Sequence, residues 1–355
     1  MRRNPRTLVV AIASAMAMIL AGCGGSDTPE TSGGTDTPEP STGSETPEEP
    51  EAAEPDSDIR VAILTPGPTT DNGYNQDADR ARSAIEDELG LEVALTESVD
   101  VANQADVYRQ FATQGYGLVI GWGGQFTDGA VEVAAEFPDT NFLVVNSNVE
   151  NGSNLGSLDT AIEDWQFMAG WLAASLSESG TIGWVGALCF PATAANLHGT
   201  EQGAEFVDAD IEVLSTFTGD FEDPTVASQA AQAMIESGAD VLTGNLNNGW
   251  AGVIEAAQAA GIPVITEWED NSATAPDTIV SAVLKSQARF VVAEVEKVLD
   301  GTFDGSFTLY NLPDDWGPTV ANTDLLDDAL HAQALEVQAM IASGEIEPEH
   351  DETCP

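Results

Sequence analysis

Short runs of β-branched and aliphatic residues alternate along the chain with longer segments in which apolar side chains recur at helical spacing. Before residue 180 the pattern predicts strands and helices in turn, at 59–64, 75–89, 93–95, 103–113, 118–121, 127–136, 142–145 and 162–176. It then restarts, with elements predicted at 181–185, 195–207, 211–216, 223–238 and 241–242. A helix that ends at Ala260 and a strand at 263–266 complete the pattern. Such alternation with short loops favours α/β architecture, with parallel sheets covered on both faces.

The restart of the alternation indicates two lobes of similar size, with a cleft between them. Ligands of open α/β sheets bind beyond the carboxyl ends of the strands. The segments that follow the predicted strands are rich in Asn, Asp and Trp, at 65–75, 122–126, 146–148, 244–250 and 267–271. This composition is typical of a cleft that stacks a flat ring and hydrogen-bonds its edges.

The amino terminus predicts export. Three arginines precede an apolar run at 8–21, which is shorter than the roughly 20 residues of a membrane-spanning helix. The run ends in Leu20-Ala21-Gly22-Cys23, which resembles the bacterial lipoprotein processing site. We therefore expect a signal peptide at 1–22 and a lipid on Cys23. The alternative is an uncleaved anchor helix, and either arrangement leaves the rest of the chain outside the membrane.

A tether is predicted at 23–57, because this segment consists mainly of Thr, Pro, Glu, Ser, Gly and Asp. Without large apolar side chains it cannot offset its own ordering entropy, so we expect it to be disordered and extended. Together with Cys23, it predicts a domain held at the extracytoplasmic face of the cell membrane.

Charge narrows the range of partners. The 355 residues include 60 Asp and Glu against 10 Lys and Arg. The first 57 positions hold 10 of the acids and 3 of the bases, which leaves 50 acids and 7 bases in the body. A body of this charge repels nucleic acid and anionic lipid headgroups. The acid excess favours either a saline habitat, where salt screens self-repulsion, or ordinary surface solubility.

Catalytic motifs are not found in the sequence. There is no Gly-x-Ser-x-Gly elbow and no phosphate loop, and Phe126 replaces the third glycine of a dinucleotide fingerprint after Gly121. The three histidines show no metal-ligand spacing. A metal held by His350, Asp351 and Cys354 is one possibility for the end of the chain, and a solvated tail is the interpretation we favour. We therefore expect no catalytic residue, no cofactor and no metal.

Two further cysteines, Cys189 and Cys354, leave two alternatives open. In an exported protein a pair of cysteines is often oxidised, and a bridge here ties the C-terminal tail to the second half of the body. Two unrelated free thiols are the other alternative, because sequence alone does not give their separation.

Eight short blocks resemble, in order, the basic membrane protein family of solute-binding lipoproteins. The first is Asp71-Asn72-Gly73-Tyr74-Asn75. The others lie at 115–121, 137–142, 163–174, 219–224, 238–241, 281–285 and 343–346. The resemblance covers 58–347, and studied members of the family bind purine nucleosides for ATP-driven importers.

The resemblance implies a type I periplasmic-binding-protein fold, with two Rossmann-like lobes and a ligand cleft between them. We place the N-terminal lobe at 58–170, completed by about 286–305. The C-terminal lobe is placed at 171–285, completed by about 306–347, and 348–355 forms a tail. The implied partners are a nucleoside-like small molecule, an ABC permease and a separate ATPase, and the implied state is a monomer.

Site residues follow from the matching positions of the family. The first block places Asp71, Asn72, Tyr74 and Asn75 at the ligand, although Asn75 is alternatively a helix cap. Lys285 matches the family's lysine and is expected to meet ligand hydroxyls or a cleft carboxylate, the alternative being a surface lysine.

Three aromatic residues are also implicated by the resemblance. Trp122 or Phe126 lies where the family places an aromatic side chain near the ligand ring, and a buried packing role is the alternative for both. Trp250 follows a polar loop and is expected to close over the opposite face of the ring.

Two positions depart from the family pattern. Asn146 stands where the family has Asp, and an amide both donates and accepts hydrogen bonds whereas a carboxylate only accepts. Trp268 replaces the first acid of an Asp-x-Asp motif that is expected to bind ribose, and Asp270 or Glu269 compensates for it. The ligand is thus a purine nucleoside or, without ribose recognition, a nucleobase or another flat heterocycle. The remaining alternatives are a sugar or amino acid ligand, a sensor subunit and an extracellular nucleoside hydrolase.

Overall fold

The computed structural model describes residues 59–313 and 315–355. The expected signal peptide at 1–22, the lipid site Cys23 and the tether at 23–57 lie outside these residues. Within the described part of the chain, no helix combines the length and apolar character needed to cross a membrane.

Eleven strands are present in the described residues. They are Val61–Leu64 (β1), Val93–Thr96 (β2), Leu118–Trp122 (β3), Asn141–Val145 (β4), Leu155–Thr160 (β5), Thr181–Gly186 (β6), Glu212–Phe217 (β7), Val241–Asn245 (β8), Val264–Trp268 (β9), Ile279–Leu284 (β10) and Phe307–Tyr310 (β11). Six of them form one sheet in the order β11-β5-β4-β3-β1-β2, and five form a second in the order β10-β9-β8-β6-β7. Every named pair is parallel.

Nine α-helices cover these sheets in the same part of the chain. They are Tyr74–Leu89 (α1), Gln104–Thr113 (α2), Thr127–Ala134 (α3), Ile162–Leu176 (α4), Pro191–Val207 (α5), Pro224–Glu236 (α6), Trp250–Ala260 (α7), Ala288–Leu299 (α8) and Asp328–Ala342 (α9). The central strands β1, β3, β8 and β9 are buried along their whole length. Burial on both faces explains why β1 and β3 read as continuous apolar runs and why β8 and β9 begin with apolar residues instead of alternating.

The predicted α/β fold with two sheets and an intervening cleft is confirmed. The structure also confirms the predicted start of α6, because Asp223 Oδ1 accepts a hydrogen bond from the backbone N–H of Thr225 at 2.8 Å. Such a cap satisfies one of the free donors at the helix start.

The lobe boundaries differ from the sequence assignment in two places. α4 packs on α5 and the second sheet, where a Cβ at Gly170 would lie 1.9 Å from the carbonyl oxygen of Thr200. The first lobe therefore ends before Ile162 rather than at 170. Phe307–Tyr310, which we had placed in the second lobe with 306–347, pairs with β5 of the first sheet.

The chain therefore passes between the lobes three times, after β5, after β10 and after β11. These crossings bring Thr160 and Lys285 to the floor of the same cleft.

Candidate functional site

A cavity of about 850 Å³ lies between the lobes at the carboxyl ends of both sheets. This is the position that parallel α/β sheets offer to a ligand. Its polar and aromatic walls include, from the first lobe, Tyr74, Asn75, Gln125, Asn146 and Asp159, and from the second, Phe190, Asn196, Phe221, Asn245 and Trp268.

Asp71 holds the loop that precedes α1. Its two carboxylate oxygens accept hydrogen bonds from the backbone N–H groups of Gly73, Asn75 and Gln76 at 2.9–3.0 Å, and from Asn75 Nδ2 at 2.7 Å. Asp71 is completely buried and does not line the cavity, so its expected contact with the ligand is replaced by loop support. Asn75 does line the cavity, and it lies within α1 rather than at its cap.

Asn72 contacts the opposite lobe instead of the cavity wall. Its Nδ2 donates to Asn248 Oδ1 at 3.2 Å. At the neighbouring Gly73, an added Cβ would lie 2.6 Å from Asn247 Oδ1, so a larger residue would displace the side chain of Asn247. The two lobes therefore touch at this rim of the cleft.

A hydrogen-bonded chain crosses the first-lobe wall. Tyr74 Oη donates to Asn146 Oδ1 at 2.7 Å, and Asn146 Nδ2 donates to Asp159 Oδ1 at 2.8 Å. Burial raises the pKa of Asp159, and the bond from Asn146 offsets part of this shift. Burial, with a further contribution from the charge of Asp159, also raises the pKa of Tyr74 well above its usual value. Asn146, at φ 55°, holds a left-handed conformation that Asn tolerates better than most residues.

Lys285 forms a buried ion pair with Glu267 on the floor of the cleft. Glu267 also accepts hydrogen bonds from Asn245 Nδ2 at 2.7 Å and from Gln166 Nε2 at 3.0 Å. Lys285 Nζ lies 4.5 Å from the centre of the Trp268 ring, within cation–π range. Lys285 thus lies at the cavity as expected, beside a carboxylate, and the surface-lysine alternative is wrong.

The three aromatic residues proposed to flank the ligand do not lie on the cavity wall. Trp122 is completely buried and donates its Nε1 to the carbonyl oxygen of Tyr74 at 3.0 Å. Phe126 packs edge-on against Tyr108 in the first-lobe core. Trp250 begins α7 and packs into the second-lobe core. Trp122 ends β3, and Phe126 and Trp250 follow strands closely, but each ring packs in a lobe core instead of on the cavity wall.

Four other rings form the aromatic part of the wall: Tyr74, Phe190, Phe221 and Trp268. Tyr74 meets Trp268 edge-on across the lobes, with ring centres 5.9 Å apart. Phe190 and Phe221, with ring centres 6.0 Å apart, lie on the second lobe. Sequence reasoning missed Phe190 and Phe221, although both follow β6 or β7 and were open to the strand-end rule.

Trp268 lies on the wall in a strained conformation, with φ 78°. The acids proposed to compensate for it are engaged elsewhere. Asp270 is exposed and accepts from the backbone N–H of Ser272 at 3.0 Å, and Glu269 pairs with Arg80 at 2.8 Å. The acid beneath the cavity is Glu267, whose position inside a buried apolar strand was the available sequence signal.

Three buried polar atoms of the wall have no hydrogen-bond partner among the residues described. They are Asn75 Oδ1, Gln287 Oε1 and Trp268 Nε1. Buried polar groups are almost always paired, so these three atoms mark hydrogen-bonding capacity that the described residues leave unused. A complementary ligand offers donors to the two amide oxygens and an acceptor to the indole N–H.

The C-terminal tail reaches this cavity, contrary to the expected solvated tail. His350 and Glu352 both line the cavity, and Cys354 is bonded to Cys189 with the Cα atoms 5.9 Å apart. Within residues 59–313 and 315–355, no cluster of three or more metal-ligating side chains occurs.

Two parallel-sheet lobes, joined by three crossings and enclosing a polar and aromatic cleft, have the architecture of the periplasmic-binding class of folds. The family model described as ABC transporter substrate-binding protein PnrA-like matches residues 59–352, and the chain belongs to this family. It is therefore a substrate-binding protein of ABC transport and not an enzyme, and its partners are a small-molecule ligand, a permease and an ATPase. Its family acts outside the cytoplasm.

Individual proteins similar to this chain agree with that assignment. A purine-binding protein of Brucella abortus is 27% identical over 300 residues, covering 84% of this chain and 85% of that protein. Basic membrane protein A of Borreliella burgdorferi is 25% identical, covering 81% and 86%. An ABC transporter solute-binding protein from Conexibacter woesei shares the fold, with a TM-score of 0.69 and 24% identity, over 82% of this chain and 99% of that one.

Proposed function

We propose that this protein captures a purine nucleoside or a related purine-type heterocycle by closure of its two lobes. It carries the ligand to a membrane permease that a separate ATPase drives. The observation that carries the proposal is the set of three unpaired polar atoms, from Asn75, Gln287 and Trp268, on an aromatic wall. A flat heterocycle with donors and acceptors on its edge satisfies both features.

The shape and chemistry of the cavity support this class of ligand. Its volume of about 850 Å³ lies within the usual range for small-molecule sites, about 300–1,000 Å³. Rings from both lobes, Tyr74 and Phe190 among them, offer faces and edges for aromatic packing. The purine-binding relative from Brucella abortus supports the same chemistry.

A nucleobase without ribose is the second candidate, and Trp268 favours it. In the family pattern the position of Trp268 carries an acid expected to bind ribose hydroxyls. The acid at this end of β9 is Glu267, which is engaged with Lys285 and Asn245. A ligand that needs no carboxylate for a sugar therefore suits this wall.

We further propose that the mature protein is a monomer held at the extracytoplasmic face of the membrane by a lipid on Cys23. The segment at 23–57 then links the lobes to that anchor. Replacing Cys23 with Ser is expected to release the protein from the membrane fraction and to abolish labelling by a radioactive fatty acid. Retention of both properties would contradict the anchor.

Isothermal titration of the full chain with nucleosides, nucleobases, sugars and amino acids tests the ligand assignment. Binding of adenosine, guanosine or inosine supports a nucleoside site, and binding of free bases alone supports the second candidate. Binding restricted to sugars or amino acids overturns both assignments and leaves the solute-binding class intact.

A matched pair of variants links the binding to this wall. Trp268→Phe keeps an aromatic ring and removes the indole N–H, so we expect at least a fivefold loss of affinity. Trp184→Phe is the control, because Trp184 is also buried with an unpaired Nε1 but does not line the cavity. Equal effects from the two variants would count against a ligand contact at Trp268.

A further inference from the structure

The end of the chain is folded against the second lobe through several independent contacts. Gln202 exchanges two hydrogen bonds with the backbone of Glu349, at 2.6 and 2.8 Å. His198 Nε2 lies 2.8 Å from the carbonyl oxygen of Thr353. The disulfide from Cys354 to Cys189 closes the set. These contacts define residues 349–354 as an ordered segment, which we call the tail strap.

The attachment point lies directly beside the cavity. Cys189 follows β6 and precedes Phe190, and Phe190 and the first turn of α5 line the cavity. A tail bridged at this position passes over the cavity edge. The bridge joins residues 165 positions apart, so the location of the strap depends on the tertiary fold rather than on local chain geometry.

Two side chains of the strap face the cavity, and one positions the other. His350 Nε2 lies 3.3 Å from Glu352 Oε1, while its Nδ1 lies 3.2 Å from Glu163 Oε1. The imidazole therefore sits between two carboxylates and orients that of Glu352. Glu352 and Asp159 both line the cavity, and the charge of Glu352 contributes to the raised pKa of Asp159.

The charge balance of the cavity then points to a type of ligand. Lys285 is neutralised by Glu267, and His350 is shared between the carboxylates of Glu163 and Glu352. Carboxylate oxygens therefore outnumber cationic groups on this wall, with Asp159 and Glu352 both lining it. Carboxylates accept hydrogen bonds and repel anions. The wall thus favours ligand N–H groups and disfavours phosphate.

We propose that the tail strap forms a wall of the ligand site and that Glu352 is a specificity-determining residue. Its carboxylate accepts hydrogen bonds from an amino or ring N–H group of the ligand, and it discriminates against phosphorylated forms. His350 is a positioning residue for Glu352, and the disulfide holds the strap in place. This inference rests on the proposed function, because it identifies which molecules the same cavity selects.

The test compares the full chain with Glu352→Gln, using amino-bearing nucleosides and bases, their monophosphates and any sugar or amino acid that binds. Glu352→Gln is expected to weaken the preferred ligand at least fivefold and to narrow its advantage over the monophosphate. Glu345→Gln is the matched control, since Glu345 is an exposed acid outside the cavity lining. The affinity of this variant for the ligand is expected to stay within twofold of that of the parent.

A second pair of proteins tests the strap itself. The double variant Cys189→Ser/Cys354→Ser and a Cys189→Ser chain ending at 347 are both expected to weaken the ligand at least threefold, with circular dichroism reporting that the lobes remain folded. If both strap variants and Glu352→Gln bind the ligand with affinities within twofold of the parent, the strap inference alone is overturned. If the parent prefers a sugar or amino acid, the purine assignment fails, and the same variants measured with that ligand still decide the role of the strap. If neither the parent nor any variant binds any of these ligands, the proposed function and the strap inference are both overturned.

Discussion

Asn146 donates its side-chain amide to the carboxylate of Asp159 at 2.8 Å, and both residues line the ligand cavity. The same amide accepts from Tyr74 Oη at 2.7 Å, so both of its polar atoms are used. An ionised aspartate at 146, as the family resemblance leads one to expect, could accept from Tyr74 but could not donate to Asp159. Asn at position 146 therefore pairs with the carboxylate of Asp159 better than Asp does.

Replacing Asn146 with Asp is expected to make stability depend on pH. Two adjacent carboxylates share a proton, so the folded pKa of the pair rises above the unfolded value of about 4. The folded state then holds more protons than the unfolded state, and stability falls as the pH rises through that range. We expect a loss of about 1–3 kcal/mol at pH 8 and a smaller loss at pH 5, measured by urea denaturation.

The matched control is Asn148→Asp, which adds the same charge at an exposed position of the same loop. It is expected to change stability by less than about 0.5 kcal/mol at either pH. A pH-independent loss in Asn146→Asp would show that proton sharing with Asp159 is not the cause.

The buried pair of Lys285 and Glu267 gives a second prediction. Removing one partner leaves an unpaired buried charge, so Lys285→Met is expected to cost about 3–5 kcal/mol of unfolding free energy. Glu267→Gln in the same chain removes the orphaned charge and is expected to recover a large part of the loss. The double-mutant cycle is measured by chemical denaturation.

A surface pair serves as the comparison for that cycle. Arg289 and Asp315 lie 2.6 Å apart with side chains 47% and 76% exposed. Exposed pairs are worth about 0–1 kcal/mol, so Arg289→Met is expected to have a small effect. Equal losses from Lys285→Met and Arg289→Met would mean that burial does not control the energy of the Lys285 pair.

Asp164 supplies a third prediction. Burial, with a smaller contribution from the charge of Glu163, raises the pKa of Asp164 to about 6 even though its carboxylate accepts from the N–H of Leu312. The folded state retains a proton between about pH 4 and pH 6 that the unfolded state has lost. Stability therefore falls as the pH rises through this window.

The side chain in Asp164→Asn cannot ionise, so the variant is expected to lack this decrease in stability with rising pH. The variant should match the parent near pH 4 and exceed it by about 1–3 kcal/mol at pH 7.5, as measured by denaturation at both values. Asp304→Asn is the opposite control, because hydrogen bonds from Ser306 lower the pKa of Asp304. Its effect should be smaller, and it should reduce stability at the higher pH. A parallel response of both variants would exclude the burial mechanism.

The acid excess gives a fourth prediction. A formal net charge of −50 produces self-repulsion that salt screens. Raising NaCl from 0.1 to 2 M is expected to increase the thermal midpoint of unfolding by at least about 2 °C. Sucrose at matched osmolality does not screen charge and is the control. A midpoint that rises equally in both solutions would point to solvent exclusion instead of screening.

Local patterns determined the main elements of the fold. The apolar runs at β1, β3 and β9 and the helix α4 were predictable because burial on both faces, or around a helix, leaves a continuous hydrophobic signal. The strands β5 and β11 were not assigned, and neither were β10, α8 and α9. The first, Leu155–Thr160, contains Gly, Ser, Asp and Thr, and the second pairs with it from a distant part of the chain.

The sequence by itself determined the fold class, the family and the ends of the strands where a ligand site had to lie. It also pointed to Tyr74, Asn75, Asn146, Trp268 and Lys285, which line the cavity because residues just after parallel strands meet at one edge. Only the tertiary structure decided which rings face that cavity, which acid pairs with Lys285, and that the tail returns to it. Those outcomes depend on side-chain direction and on contacts between residues more than a hundred positions apart, and neither is encoded in local spacing.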